Sequence, residues 1–200
     1  MKRNGKQIAF EFISIVVAVV LAMALSEWRQ DFLNKKQADL SFQNIIIEVE
    51  NNIESIQSNK TEIQKSYDRT SAWFKASESE RDTTDVSLNF DLGLLSATAM
   101  EVAKLNQSLT YLSNDKVMDI SGVYSIQEFY QSNGSVAFHK MTDIFLQIRD
   151  EKKDKALSLR AYRYELTLAL SAILALEGSY KSFLEKYSPN SSALESLLHH

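Results

Sequence analysis

From Ile8 to Leu25 the chain reads I-A-F-E-F-I-S-I-V-V-A-V-V-L-A-M-A-L, about 18 residues whose only charge is Glu11. At about 1.5 Å per helical residue the run reaches roughly 27 Å, close to the roughly 30 Å hydrocarbon thickness of a bilayer. Trp28 follows it, an aromatic of the kind enriched at membrane–water boundaries. The run reads as a transmembrane helix. A cleaved signal peptide competes with that reading, because the basic start, the apolar core and the small-x-small triplet Ala22-Met23-Ala24 fit its tripartite pattern. Glu11 interrupts the apolar core, however, and the helical pattern runs past Ala24 without the extended stretch a peptidase needs. An uncleaved anchor is therefore expected.

Basic residues tie across the span. Lys2, Arg3 and Lys6 precede it, and Arg29, Lys35 and Lys36 follow it. The α-amino charge and the absence of any acid before Glu11 favour a cytoplasmic N-terminus, with the body in the periplasm of a bacterial inner membrane. With 22 basic against 26 acidic residues the chain carries a net charge of -4, and three of those basic groups belong to the short tail. The body is thus acidic and lacks the clustered Lys and Arg that displace counterions from nucleic acid. Nucleic-acid binding is not expected. With no cysteine, disulfides, thiolate metal sites and cysteine nucleophiles are excluded.

Only 5 Gly and 1 Pro in 200 residues argue against a turn-rich β fold. An all-α fold is expected. Phe42, Ile46, Val49, Ile53, Ile56, Lys60, Ile63, Tyr67, Thr70 and Phe74 recur at steps of four and three, a seam sustained over more than four heptads. Extended backward, the same register passes through Asp39, Lys35, Phe32, Trp28, Leu25 and Leu21. One helix running outward from the membrane is expected, with a kink or partner contact near Lys35 and Asp39. Leu40, Ile45 and Ile47 widen the stripe, as suits packing in a bundle. Residues 78–95 read as a loop with a short turn. A second helix opens with Thr98 and Glu101 in capping-box spacing. A third follows Ser113-Asn114-Asp115 and ends or kinks at Asn133-Gly134, with helical spacing resuming from Val136 to Ile148. The last long helix carries Leu159, Tyr162, Leu166, Leu170, Ile173, Leu176, Tyr180, Leu184 and Tyr187. Its stretch from Leu166 to Leu176 is too short to span and reads as buried core. After Ser188-Pro189 a terminal helix is expected, with Ser192 and Glu195 as capping pair.

Candidate chemistry is sparse. Glu11 is an ionisable group at the edge of a span, which fits a contact to another membrane subunit, a proton- or ion-responsive carboxyl, or simple interfacial placement beside Lys6 or Lys2. Glu48, Glu50, Glu54 and Glu62 read as a solvated helical face, since no Glu-x-x-His pair accompanies them. His139 stands alone, and His199-His200 close the chain. No metal or cofactor is expected. There is no nucleophile elbow and no glycine-rich phosphate cradle, so an enzyme is not expected either. Trp73 with Phe74, and the cluster Arg160, Tyr162, Arg163 and Tyr164, carry the residue types of interface hot spots, although core packing explains most of them.

The segment Phe10 to Asp31, with Glu11 at the head of a short apolar helix and Trp28 followed by charges, resembles the start of a large bacterial family of uncharacterised single-span proteins. The stretches Thr98 to Leu112 and Ser121 to Tyr130 are similar to the helical middle of that family, and together the three cover about a quarter of the chain. The resemblance implies a membrane-anchored helical protein and carries no activity. Relatives usually have Gly near the position of Gln107 or Ser108; this chain has none, which speaks against a sharp turn there.

The expected organisation is a tail and transmembrane helix over 1–27, an antiparallel helical bundle over 28–187 and a short C-terminal helix or tail over 188–200. The leading expectation is a membrane-anchored adaptor or accessory subunit acting by protein contacts. Its partners would be the lipid bilayer and other membrane subunits or a second copy, with Glu11, Trp28, Lys35, Asp39 and Trp73 as contact residues. Two alternatives are a stator-like or channel-like component in which Glu11 carries ions, and a secreted binding domain beginning near Leu25.

Overall fold

The computed structural model describes residues 5–83, 90, 92–150 and 154–198. Lys2, Arg3, His199, His200 and part of the expected 78–95 loop lie outside the described residues. Among the described residues six helices follow in chain order: α1 (Gly5–Lys75), α2 (Glu78–Thr83), α3 (Thr98–Leu105), α4 (Asn114–Arg149), α5 (Lys155–Tyr187) and α6 (Ser192–Leu198), with a 3₁₀ turn at Ser108–Tyr111. The fold is all-α.

The first helix is unbroken for 71 residues, about 105 Å, and it is not interrupted at Lys35 or Asp39. It is long and apolar enough to cross a membrane, and its apolar window buries nothing inside the chain. From Ala38 onward it turns into a packing element. Phe42, Ile46, Val49, Ile53, Ile56, Ile63 and Thr70 of the expected seam are buried, and Lys60 pairs there with Glu177 of α5 at 2.9 Å. Of the three residues that widen the stripe, only Ile45 is buried; Leu40 and Ile47 are exposed.

α5 runs antiparallel to α1. Tyr187 stacks edge-on against Phe42, Tyr180 meets Asn52, and Glu177 meets Lys60. α4 runs parallel to α1, with Lys116 near Asp39, Tyr124 on Glu48 and Tyr130 on Asn59. The chain achieves this by doubling back along α1. Gly93 lies against Asn59, Ser96 bonds Asn52, Ser108 bonds Ser41, and Tyr111 accepts from Asn34, so α4 starts again beside the Asn34–Ser41 stretch of α1. α5 packs on both of its long neighbours.

Several local expectations are corrected. Asn133-Gly134 neither ends nor divides α4, which is one helix through both. A Cβ at Gly134 would stand 2.9 Å from Leu92 Cδ1, so the glycine admits the returning strap rather than stopping the helix. The Thr98–Glu101 capping box does not form: Ala97 occupies the cap position without a side-chain bond, and Glu48 of α1 accepts the Ala99 N–H instead at 2.9 Å. At α6 the capping hydroxyl belongs to Ser191, which accepts from Ala193 N at 3.2 Å, and not to Ser192. The sharp turn does form without glycine, because Gln107 takes the left-handed conformation at φ 58°.

Candidate interaction surface

Between Asp119 and Lys140, α4 carries only Glu128 as a full charge, and between Glu165 and Lys181, α5 carries only Glu177. Glu177 is drawn inward to Lys60, so the exposed positions of α5 from Tyr164 to Gly178 hold no charge at all. A solvated helix face ordinarily bears charged side chains. Here Phe129 (64 % exposed), Val136 and Leu168 stand on the outer side of the α4/α5 pair instead, and Leu174 is exposed further round α5. Isolated exposed apolar residues are ordinary, whereas a contiguous set of them marks a contact surface.

The surface is a trough running along the groove between the two helices. Two cavities of about 370 and 580 Å³ meet at Ala175. Phe129, Gly134, Leu168 and Ala172 line the smaller one; Met118, Gly122, Ile126 and Gly178 line the larger one, nearer the start of α4. An ion pair closes each end. Lys140 Nζ donates to Glu165 Oε1 at 3.1 Å, and Lys186 Nζ donates to Asp119 Oδ2 at 2.7 Å. Tyr187 OH adds a second donor to Asp119 at 2.6 Å. The two bonds hold the Asp119 carboxyl below its ordinary range, and the carboxylate in turn raises Lys186.

Beneath the trough, a polar network locks α4 to α1. The Glu48 carboxylate is buried and accepts from Ser96 Oγ, Ala99 N and Tyr124 OH. This corrects the solvated-face reading for Glu48; Glu54 and Glu62 remain exposed. Asn52 and Gln127 both donate to the Ser96 carbonyl at 2.8 Å, and Gln131 donates to the Leu95 carbonyl. Side-chain amides thus supply the partners that an irregular strap cannot find in its own backbone. Burial, reinforced by Glu48, pushes the Tyr124 hydroxyl far up, and burial does the same for Tyr180, so both stay neutral donors.

The five residues expected to make contacts are not brought together; they are strung along α1 over about 90 Å. Glu11 lies in the exposed apolar stretch, where Ser14 Oγ donates to its backbone carbonyl at 2.8 Å. Trp28 is 72 % exposed. Lys35 is exposed, and Asp39 is exposed with Lys116 Nζ at 3.9 Å. Trp73 is only 6 % exposed and packs edge-on against Phe74, which places it inside the chain. The second aromatic-basic cluster converges on it. Arg163 and Arg160 lie over Phe74 at 4.9 and 5.9 Å, while Arg81 covers Trp73 at 5.1 Å and donates to the Trp73 and Phe74 carbonyls. Those bonds satisfy the last turn of α1, so much of this aromatic-basic character serves to finish the helix.

The outer α4/α5 face is the feature that seam analysis missed. Its signal was present as the shared scarcity of charge in two helices that turn out to be neighbours. Among the described residues no group of three His, Cys, Asp or Glu side chains is placed to hold a metal ion. No family model, curated protein or solved structure matches the chain.

Proposed function

We propose that this chain is a membrane-anchored adaptor or accessory subunit of a bacterial inner-membrane assembly, with a cytoplasmic N-terminus and a periplasmic helical bundle. One observation carries the reading: the exposed apolar stretch and the packed seam are two parts of the same unbroken helix. An anchor joined to its domain by a flexible linker would leave that domain free to tumble. A continuous helix instead fixes the height and facing of the bundle relative to the bilayer. A charge-poor lateral face held at fixed height suits contacts with another membrane-anchored protein.

Two measurements on the full chain test the reading. The protein should stay in the membrane pellet through alkaline washing and leave it only with detergent. A cysteine placed at exposed Lys36 in this cysteine-free sequence should react with a membrane-impermeant maleimide from the periplasmic side. Release by alkaline washing, or labelling of Lys36→Cys only after the inner membrane is opened, would overturn the proposed placement. Replacing Glu11 by Gln should leave membrane retention and the bundle intact in an adaptor and weaken partner affinity at most, whereas an ion-coupled component would lose its activity.

A further inference from the structure

We infer that the outer α4/α5 face is covered by the same face of a second copy, two bundles standing side by side about a two-fold axis that runs along the helices. The inference rests on the anchored reading above for its orientation. Its first support is a pair of glycines that the chain does not need for itself. Gly122 of α4 and Gly178 of α5 both lie inside long helices and line the same stretch of the trough. A Cβ built on either would meet nothing within 4 Å, in contrast to Gly134, where it would strike Leu92. Glycine is among the least favourable residues in a helix interior, so two of them without an internal packing role call for a backbone approaching from outside.

The ion pairs at the ends say which occupant fits. Rotation about an axis parallel to the helices sets α4 of one copy against α5 of the other, with equal heights meeting. Lys140 then faces the second copy's Glu165, and Asp119 faces its Lys186, so both ends are matched in sign without any new charge. A two-fold across the helices would also match signs, but it inverts one copy, which two like-oriented anchors in one bilayer cannot do. From Glu165 to Lys186 α5 rises through 21 residue steps, about 31 Å, and two helices span about 20 Å in width. The face is therefore about 600 Å² per copy and about 1,200 Å² in total, just above the size at which specific interfaces begin. Confinement to one membrane raises the effective concentration of such a pair.

Cysteine crosslinking of the full chain in native membranes tests this. Ala175, common to both cavities, should lie near the axis, so Ala175→Cys should give a disulfide-linked dimer of this chain, while Glu54→Cys on exposed α1 should not. Adding Gly178→Leu, or separately Gly122→Leu, should cut the linked fraction by at least about tenfold. Gly178→Ala should melt no lower than the parent, because its Cβ has open space within the chain. The pairing is overturned if membrane-embedded Ala175→Cys stays monomeric, if it links to a different polypeptide, or if well-folded leucine variants link as efficiently as before. A chain that links through Ala175→Cys yet washes out of membranes overturns the anchored reading and upholds the pairing, so the two failures are distinguishable.

Discussion

The two halves of α1 share one backbone and nearly opposite surroundings. Residues 10–25 are apolar on most sides, and the helix is exposed throughout 10–33; residues 38–73 are apolar on one stripe, and that stripe is buried. Hydrophobic content alone does not send a helix into a protein core. A stripe matches a neighbouring helix, whereas an all-round apolar surface needs apolar surroundings on every side. The two tryptophans isolate the contrast, with Trp28 in the open half and Trp73 enclosed. Trp73→Ala should lower bundle stability by about 4 kcal/mol, by lost burial and a cavity. Trp28→Ala should change it by less than about 0.5 kcal/mol. Denaturant unfolding of the full chain in detergent, followed by circular dichroism, would show whether the halves differ this much; equal losses would break the comparison. Trp73→Phe sharpens it, since the indole Nε1 is buried without a partner among the described residues and its removal offsets part of the packing loss.

A second, smaller effect tests the polar side of the packed half. Glu48→Ala strips acceptors from the Ala99 N–H, Ser96 Oγ and buried Tyr124 OH, and it leaves α3 uncapped. A loss of about 3 kcal/mol is expected, because buried donors left without partners forfeit their desolvation energy. Hydrogen exchange should report earlier opening of the 92–105 segment than of α5. Uniform loosening of the bundle would instead mean that Glu48 is merely one more core position.

These contrasts explain how far the sequence could be read. The α1 seam was legible because its partners share a 3.5-residue rhythm that needs no knowledge of the neighbour, and α5 was legible for the same reason. Glu48 was not: its donors are 48, 51 and 76 residues away, and on a helical wheel it is one more acid among Glu50 and Glu54. The seam set Leu166 and Leu176 apart from Leu168 and Leu174, but reading the whole stretch from Leu166 to Leu176 as buried core took in both of the latter, which are exposed, since α5 is apolar around most of its girth there. Gly122 and Gly134 look alike in sequence too. Only the position of Leu92 separates a glycine that admits a strap from one that faces open space.

The ion pair at the base of the trough gives a smaller and reversible effect. Asp119 titrates below its ordinary value of 3.8, so its stabilisation is present above that pH and fades as acid carries it through the lower folded value. Lys186 titrates above its ordinary 10.5, so its stabilisation is complete below that pH and fades as alkali passes the raised folded value. The melting temperature should be flat between about pH 5 and 9 as far as this pair is concerned. Asp119→Asn should lower stability by at most about 1 kcal/mol at neutral pH and flatten the acid limb. An unchanged acid limb would show that the pair is too well solvated to matter.

The smallest change expected is a gain. Gln107 holds φ 58° and ψ 19° at the junction between α3 and the 3₁₀ turn, exposed and with its carbonyl accepting from Thr110 N. A non-glycine residue in this region is strained by its Cβ, by roughly 1 kcal/mol. The turn is imposed from both sides: Asn106 Oδ1 accepts from Ser108, and Ser108 is held against Ser41 of α1. Gln107→Gly removes the Cβ conflict but adds freedom to the unfolded chain, so the net gain should be about 0.5 kcal/mol. The same substitution at Gln57, in the packed half of α1, should cost up to about 1 kcal/mol and also break its bond to Ser196. Opposite signs at the two positions would establish that the left-handed turn, rather than residue type, governs the response. A loss at Gln107 would mean that the turn relaxes in solution to a conformation glutamine tolerates.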